Sequence, residues 1–507
     1  MKDHQVLTES DKSNPRSEAV IASLSSLVLS FMIMFVSPLN PVIRTDYVEM
    51  DSAVFRTIGY VMSRGGLPYR DSFDHKGPVV YLLNYLGDRV ISATFGLWLI
   101  EVLFLAFSIL VFYYTARLIC SKISSFFIVM SAISLIMLFF ERGNFVEEYA
   151  LPFIALGNLI FLDYFLNNKI TSFRVILSGI SLGMVLMLRP NMIALWIVFC
   201  IAVLIKLIYS KKIKVLLKFT ALFISGIAIV FIPIIIWLGI NGCLPDFWKD
   251  YIVFNFVYAQ AGEARSVVTG RIESLGFYIT VPLILISLLG SLVFTFTKKD
   301  KVSLLTLIYG LLSLIFVVMP GRIYDHYGLI LIPCTIYPLC LLIDSAKLIK
   351  REKIKKWIGN LIPLVLTFAF IIPCWIVLGI SLWAPDTTVN EMDEYYRISA
   401  EKVAGIVESG SAPDDKIFVF GNWDCIYLMT DRMHATKYSY QYPPCYLAPE
   451  LMEDCFRELK EDKPKLIVVQ AGQYNMIGWF IDSFDYELVW SEDPDDLLGS
   501  ISVFKLN

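Results

Sequence analysis

The feature that most constrains this chain is a series of apolar runs, each long enough to cross a bilayer. A spanning helix needs about 20 such residues. By that measure the sequence predicts spans near 19–39, 94–116, 123–140, 149–166, 172–188, 191–209, 215–240, 275–297, 302–319, 327–346 and 357–383, about eleven in all. Over its 507 residues the chain is 57% hydrophobic and only 18% charged, more apolar surface than a soluble core of this length can bury. The expected class is a polytopic α-helical membrane protein. The apolar piece 78–93 is too short and too interrupted to cross, and reads as a re-entrant or interfacial helix. The N-terminus is polar up to Glu18 and apolar to Phe35, with no small-residue cleavage site after it, so an uncleaved first span is expected.

The charges test the count. If the spans alternate, one set of loops gathers Arg117/Lys122, Lys169/Arg174, the lysines from Lys206 to Lys218, Lys298/Lys299/Lys301 and the run from Lys347 to Lys356. The positive-inside rule makes these cytoplasmic, with the N-terminus beside them. The long, motif-rich loops and everything after residue 384 then face outward. The organisation expected is a transmembrane catalytic domain at 1–384, with its first outer loop at 40–93, and an extracytoplasmic domain at 385–507.

The tail changes character. Residues 385–507 hold 23 Asp/Glu against 10 Lys/Arg. Short β-rich runs at 416–421 and 465–469 alternate with helical patterns at 393–408 and 447–460. That alternation predicts a small α/β domain with a partly parallel sheet. The strand at Phe418–Phe420 ends in Gly421-Asn422, a place where such sheets bind ligands, though a plain β-to-α turn reads the same way. Nine cysteines, none in a CxxC pair, indicate neither a zinc site nor a disulfide framework; free thiols are expected at Cys425, Cys445 and Cys455.

The chemistry-bearing residues collect in the outer loops. Glu49-x-Asp51 follows the first span directly, and carboxylates near a bilayer are costly and usually functional. In Phe73-Asp74-His75-Lys76-Gly77-Pro78 the Gly-Pro forces a turn, and a lysine before it is a point-charge partner for phosphate; a snorkelling lysine is the plainer alternative. Glu147 and Glu148 occupy a predicted first helical turn, where acids also suit the helix dipole. Arg189-Pro190-Asn191 joins two spans with almost no loop. Arg322-Ile323-Tyr324-Asp325-His326-Tyr327 repeats the basic, aromatic pattern. The planar arginine fork suits a lipid phosphate, and snorkelling is again the alternative.

Together these motifs resemble the GT-C glycosyltransferases, polytopic enzymes that take sugar from a polyprenyl-phosphate carrier. The residues that carry the resemblance are Glu49-Met50-Asp51, Gly66-Leu67-Pro68-Tyr69-Arg70-Asp71, Phe73 to Pro78, Asn144 to Pro152, Arg189-Pro190-Asn191 and Arg322 to Tyr327. The chain is similar to the bacterial branch related to lipid A aminoarabinose transferases and protein O-mannosyltransferases. Where several relatives carry Glu-Lys-Pro-Pro, this chain has His75-Lys76-Gly77-Pro78, so a glutamate or metal role does not carry over there. The resemblance implies Asp51 as the base that takes the acceptor proton, with Glu49 or Glu148 orienting acceptor or sugar. It implies Lys76, Arg322, Arg56 and Arg189, in falling order, as cations for the lipid phosphate. Glu147, His75, Tyr324 and His326 complete the expected substrate contacts. A lid from residues 241–274 is expected to close over the donor.

The implied partners are a polyprenyl-phosphate-linked sugar, membrane lipid, and a cell-envelope glycan, lipid or protein acceptor, with no nucleic acid. No cofactor is implied with certainty, and a divalent cation stays open. A transporter would want charges inside the spans, along a path, whereas here they gather at one face. A ligase or polymerase acting on a lipid-diphosphate glycan would be expected to lack the early Glu-x-Asp loop.

Overall fold

The structure is a computed structural model, and it describes residues 15–35, 50–90, 93–141, 143–260, 289–292, 300–318, 324–345, 372, 375–376, 379–380 and 391–507. Helices dominate up to residue 345. They are α1 (Pro15–Met34), α2 (Met50–Ser63), α3 (Pro78–Val90), α4 (Ala93–Arg117), α5 (Lys122–Phe139), α6 (Val146–Asn167), α7 (Ser172–Leu186), α8 (Ala194–Tyr209), α9 (Ile213–Ile240), α10 (Lys301–Val318) and α11 (Pro333–Ser345). Among the described residues five of these are long and apolar enough to cross a membrane: α1, α4 from Phe95, α6, α9 and α10. Shorter apolar helices match the expected runs at 123–140, 172–188 and 191–209. The runs at 275–297 and 357–383 lie largely outside the described residues.

One expected span differs in form. Residues 327–346 are not a single straight helix. A tight 3₁₀ stretch, Asp325–Leu331, meets Pro333–Leu342 at an angle of 55°. Pro333 has no backbone N–H to continue the preceding turn, and its ring crowds the residues before it. The break falls where the sequence changes chemistry, between the polar Asp325-His326 pair and the apolar helix beyond.

The chain divides into two compact units. The first comprises residues 1–37, 101–234 and 262–383. Its helices start and stop on local signals. The Ser121 hydroxyl accepts from the Ser124 N–H to open α5, and Thr171 does the same for Arg174 at α7. Asn168, in the left-handed conformation, closes α6. Helices α7 and α9 meet through two glycines. A Cβ on Gly179 would lie 2.1 Å from the Phe223 carbonyl oxygen, and one on Gly226 would lie 2.2 Å from that of Ile176. In lipid, helices gain from such contact because small residues let backbones approach.

The second unit comprises residues 38–100, 235–261 and 384–507. It therefore joins the first loop, a short segment after α9, and the tail. The tail runs α12 (Glu391–Gly410), β1 (Ile417–Phe420), α13 (Cys425–Thr430), α14 (Pro449–Glu461), β2 (Leu466–Val469), α15 (Tyr474–Ser483), β3 (Tyr486–Ser491) and β4 (Ser502–Leu506). The sheet order is β1-β2-β4-β3, with β1 and β2 parallel and the other pairs antiparallel. Both parallel strands are buried throughout, as a strand covered on both faces must be. The expected strands and helices of the tail are all present; β3 and β4 add a second, antiparallel half. Phe73 from the first loop and Phe254 from the segment after α9 enter the same core as Phe418, Phe420, Leu459 and Phe480. Cys425, Cys445 and Cys455 are free thiols.

The glycine contact in the first unit gives a direct test. Gly179→Ala and Gly226→Ala each force backbone apart, and overpacking of this kind costs about 1–3 kcal/mol or more. Each variant should lower the thermal midpoint in detergent, and an unchanged midpoint would show that α7 and α9 are not held this closely.

Candidate functional site

In the second unit the chemistry gathers around Tyr440. Asp74, buried in the turn before α3, accepts hydrogen bonds from Tyr440 Oη at 2.7 Å, Tyr81 Oη at 2.8 Å and the His75 N–H at 2.7 Å. Burial works against its charge. The His75 side chain, the nearby Lys76 ammonium and the Tyr440 hydroxyl outweigh burial and hold the carboxyl well below the ordinary carboxylate range. Tyr440 is pushed the other way, by burial first and then by Asp74, with Asp51 and Asp424 adding to the effect. Its hydroxyl therefore stays protonated and sits in the field of three carboxylates.

His75 and Lys76 form one device. Lys76 Nζ lies 2.9 Å from His75 Nε2. An ammonium only donates, so Nε2 accepts and the ring proton sits on Nδ1, which is 3.2 Å from Asp74 Oδ1. The imidazole stacks on Tyr258 at 4.8 Å, and Asn255 Nδ2 donates to the His75 carbonyl at 2.8 Å. The expected lid segment thus lies against the motif turn as far as residue 260; residues 261–274 lie outside the described residues.

Asp51 occupies the first turn of α2 with its side chain half-buried. Glu49, its expected partner, lies outside the described residues. Arg56 is buried further along α2. Five residues of helix turn its side chain about 140° from that of Asp51.

Asp424, at the start of α13, was not anticipated. It is fully buried, accepts from the Ser439 hydroxyl at 2.6 Å, and its Oδ1 has no hydrogen-bond partner among the described residues. Burial pushes its pKa up to about 7 despite the Ser439 hydrogen bond, and Asp74 adds to the rise. Asp250 is pushed up to about 6 by burial, against the nearby Lys437 ammonium. His434 is moved down to about 4 by burial, and Ser72 Oγ lies 2.8 Å from its Nε2.

The first unit holds a separate polar network. Arg189 forms an ion pair with Glu147 and lies 4.2 Å over the Tyr327 ring. Read from the sequence as wanting a lipid phosphate, Arg189 finds an anion within the protein. His326 Nδ1 lies 2.6 Å from Glu141 Oε2, and its Nε2 lies 3.9 Å from Glu147. Phe145 and Tyr324 stack on its two faces at 4.1 and 5.5 Å. The Asn144 N–H is shared by Glu101 Oε1 at 2.6 Å and Glu148 Oε2 at 2.9 Å. Glu101 escaped notice in the sequence because it sits inside an apolar run; a lone acid there was the available signal. Arg322 lies outside the described residues. Among the described residues no three His, Cys, Asp or Glu side chains converge to hold a metal ion.

The buried acid of α13 has a measurable consequence. An acid whose folded pKa is raised binds more protons folded than unfolded, so stability falls as pH rises from the ordinary carboxylate range to about 7. Asp250 adds a slope of the same sign, and His434 one of the opposite sign below its usual pKa. The Asp424 share is isolated by difference. Asp424→Asn should gain thermal stability relative to the natural protein as pH rises from 5 to 8, and a pH-independent difference would refute the assignment.

No curated protein matches the sequence. Among solved structures, ArnT from Cupriavidus metallidurans bound to undecaprenyl phosphate is similar at a TM-score of 0.62 and 12% identity, over 97% of this chain and 98% of that one. The apo oligosaccharyltransferase of Archaeoglobus fulgidus is similar at a TM-score of 0.50 and 15% identity, over 96% of this chain and 74% of that one. At such identities the likeness is one of fold. The fold is that of the GT-C superfamily, a multi-pass membrane protein with a small C-terminal sheet domain. The profile of the competence-induced protein Ccs4 N-terminal domain matches residues 11–378, more than half of the chain. The chain therefore belongs to the competence-induced Ccs4 N-terminal domain family, built on a GT-C fold.

Proposed function

We propose that the protein is an inverting glycosyltransferase that moves a sugar from a polyprenyl-phosphate carrier to a hydroxyl of a cell-envelope acceptor. The observation that carries this reading is the grouping, in one compact unit, of a half-exposed carboxylate, Asp51, with the Asp74–His75–Lys76 turn. The two act on the same Tyr440 hydroxyl. The GT-C fold, shared with a protein whose structure holds undecaprenyl phosphate, supports the choice of donor.

The step needs two charges. As the acceptor oxygen attacks the anomeric carbon, its proton passes to the Asp51 carboxylate. The bond from the anomeric carbon to the phosphate oxygen breaks, and polyprenyl phosphate leaves with the extra negative charge. A single displacement inverts the centre. Lys76 meets the departing charge as a preplaced cation. His75 accepts from Lys76, and Asp74 orients His75, so the ammonium is held rather than left to sweep the surface. Glu148 and Glu147, with Arg189 and His326, belong to the other unit and are given no part in this step. The short basic loops face the cytoplasm and the tail faces outward, by the positive-inside rule.

Two variants test the roles. Asp51→Asn keeps the shape and cannot take a proton at neutral pH, so turnover should fall by about 10²–10⁴-fold while donor binding holds. Lys76→Ala removes a charge-assisted contact worth roughly 1.5–3 kcal/mol, so kcat/KM should fall by about ten- to a hundred-fold. Full turnover in Asp51→Asn would sink the base assignment. Natural kinetics in Lys76→Ala would reduce that lysine to a snorkelling residue.

A further inference from the structure

The end of α9 fixes the depth of the segment that follows it. From Phe219 to Ile240 the helix carries no charge, a length of about 33 Å at 1.5 Å per residue, against a hydrocarbon layer of about 30 Å. With Lys218 at one boundary of that layer, Ile240, 81% exposed, reaches the other. The chain does not run on from there. Gly242, at φ +73°, turns it back. The Gly242 N–H donates to the Gly239 carbonyl at 3.1 Å, and the Cys243 N–H to the Leu238 carbonyl at 2.9 Å. This double closure leaves no slack, so Leu244 starts at the level where α9 ends.

Residues 244–260 are helical in three pieces: Leu244–Phe247, a wider π turn at Trp248–Val253, and Phe254–Gln260. One face looks inward. Phe247 packs on Tyr69 at 5.5 Å, and Phe254 on Phe73 at 5.4 Å and on His75 at 5.5 Å. With the Asn255 hydrogen bond and the Tyr258 stacking, this face grips the turn that carries Lys76. The opposite face is exposed and apolar: Leu244, Pro245, Trp248 at 62%, Val253 and Phe256 at 66%. Lys249 is the exposed charge of the stretch, and it turns aside to Asp454 of α14, 3.7 Å away.

A surface helix in water puts polar residues outward. This segment puts tryptophan, phenylalanine and aliphatic side chains there, a face that calls for a partner other than water. The bilayer is already at hand, because the segment begins where a spanning helix leaves the hydrocarbon layer. Tryptophan at that boundary is the usual interfacial anchor. We infer that residues 244–256 lie in the headgroup layer at the end of α9, with Leu244, Trp248, Val253 and Phe256 turned into the membrane lipid that covers this face. The anchor stands on α9 and on the exposed face. Its consequence rests on the glycosyltransferase reading: a segment that holds His75 and Lys76 from within is fixed by lipid from without, so Lys76 is kept at the depth of a lipid phosphate.

The test places the full chain in phosphatidylcholine nanodiscs, with and without lipid brominated on its acyl chains. Tryptophan emission of the natural protein is compared with that of Trp248→Phe, and the emission lost in the variant belongs to Trp248. Bromolipid should quench most of it, and iodide in the water little. Phe256→Trp, read as emission gained over the natural protein, should behave the same way, and serves if Trp248→Phe does not fold. Quenching by iodide alone would put this face in water, and quenching by neither would put another protein surface over it; either result overturns the inference. In the same nanodiscs Phe256→Glu should raise the KM for a polyprenyl-phosphate sugar by about tenfold or more, the order set by losing one buried aromatic side chain, with kcat unchanged. A natural KM in that variant would overturn the coupling of the anchor to Lys76. Bromolipid quenching in a chain that transfers no sugar would defeat the transferase reading and leave the anchor intact.

Discussion

The second unit depends on one buried charge. Taking a carboxylate out of water costs several kcal/mol even after relaxation, so a buried, ionised Asp74 must be satisfied in full. Its donors are Tyr81, seven residues on, and Tyr440, 366 residues on. Separating the tail from the first loop would leave the carboxylate short of a donor in an apolar surround. The hydrogen bond of Thr57 to the Asp424 carbonyl and that of the Phe73 N–H to the Lys437 carbonyl run between the same two segments. The motif turn is thus rigid because the tail completes it, and the tail's core is complete because Phe73 enters it.

Arg189 and Lys76 are held differently. In the first unit, Arg189 meets the Glu147 carboxylate directly. Such pairs recover desolvation through geometry, and breaking one partner leaves a costly buried charge. In the second, Lys76 hydrogen-bonds the His75 ring rather than a carboxylate, and acts on Asp74 from a distance. A cation held by a neutral acceptor keeps more of its field for a ligand than one in a tight ion pair. That contrast is why Lys76 is proposed ahead of Arg189 as the phosphate partner.

How much of this was legible in the sequence follows from the range of the forces involved. Bilayer crossing is local, so the apolar runs gave α4, α6 and α9 close to their observed limits. The α/β tail was visible from strand–helix alternation. The bend at Pro333 was not read from the sequence, which gave 327–346 as one span, although proline there cannot continue the preceding turn. What stayed hidden was pairing at long range. Glu147 and Arg189 were each singled out, and nothing in their spacing said that they answer each other. The end of β1 was recognised as a place of interest, whereas the burial of Asp424 two residues later is set by Ser439 and by packing against α2. Tyr440 carried no signal at all, because a tyrosine in a polar tail is ordinary until Asp74 is placed against it.

Three carboxylates act on Tyr440, and one of them is the proposed base. Asp74 is ionised, yet its oxygens are occupied by Tyr81, Tyr440 and His75, and a carboxyl held so far below its usual range is a weak base. Asp424 has the more suitable proton affinity, near 7, but is fully buried behind Ser439, where no acceptor hydroxyl can reach. A general base must first come within about 2.6–3.2 Å of the proton it takes, and only then does its pKa matter. Asp51, on the first turn of α2, is the one of the three that is not fully buried, which is why it is the proposed base. The two buried acids then have a different task. Asp74 ties the turn that carries Lys76 to Tyr440 of the tail, and the Asp424 backbone carbonyl accepts from Thr57 on the helix that carries Asp51, so turn and helix are both fastened to the tail.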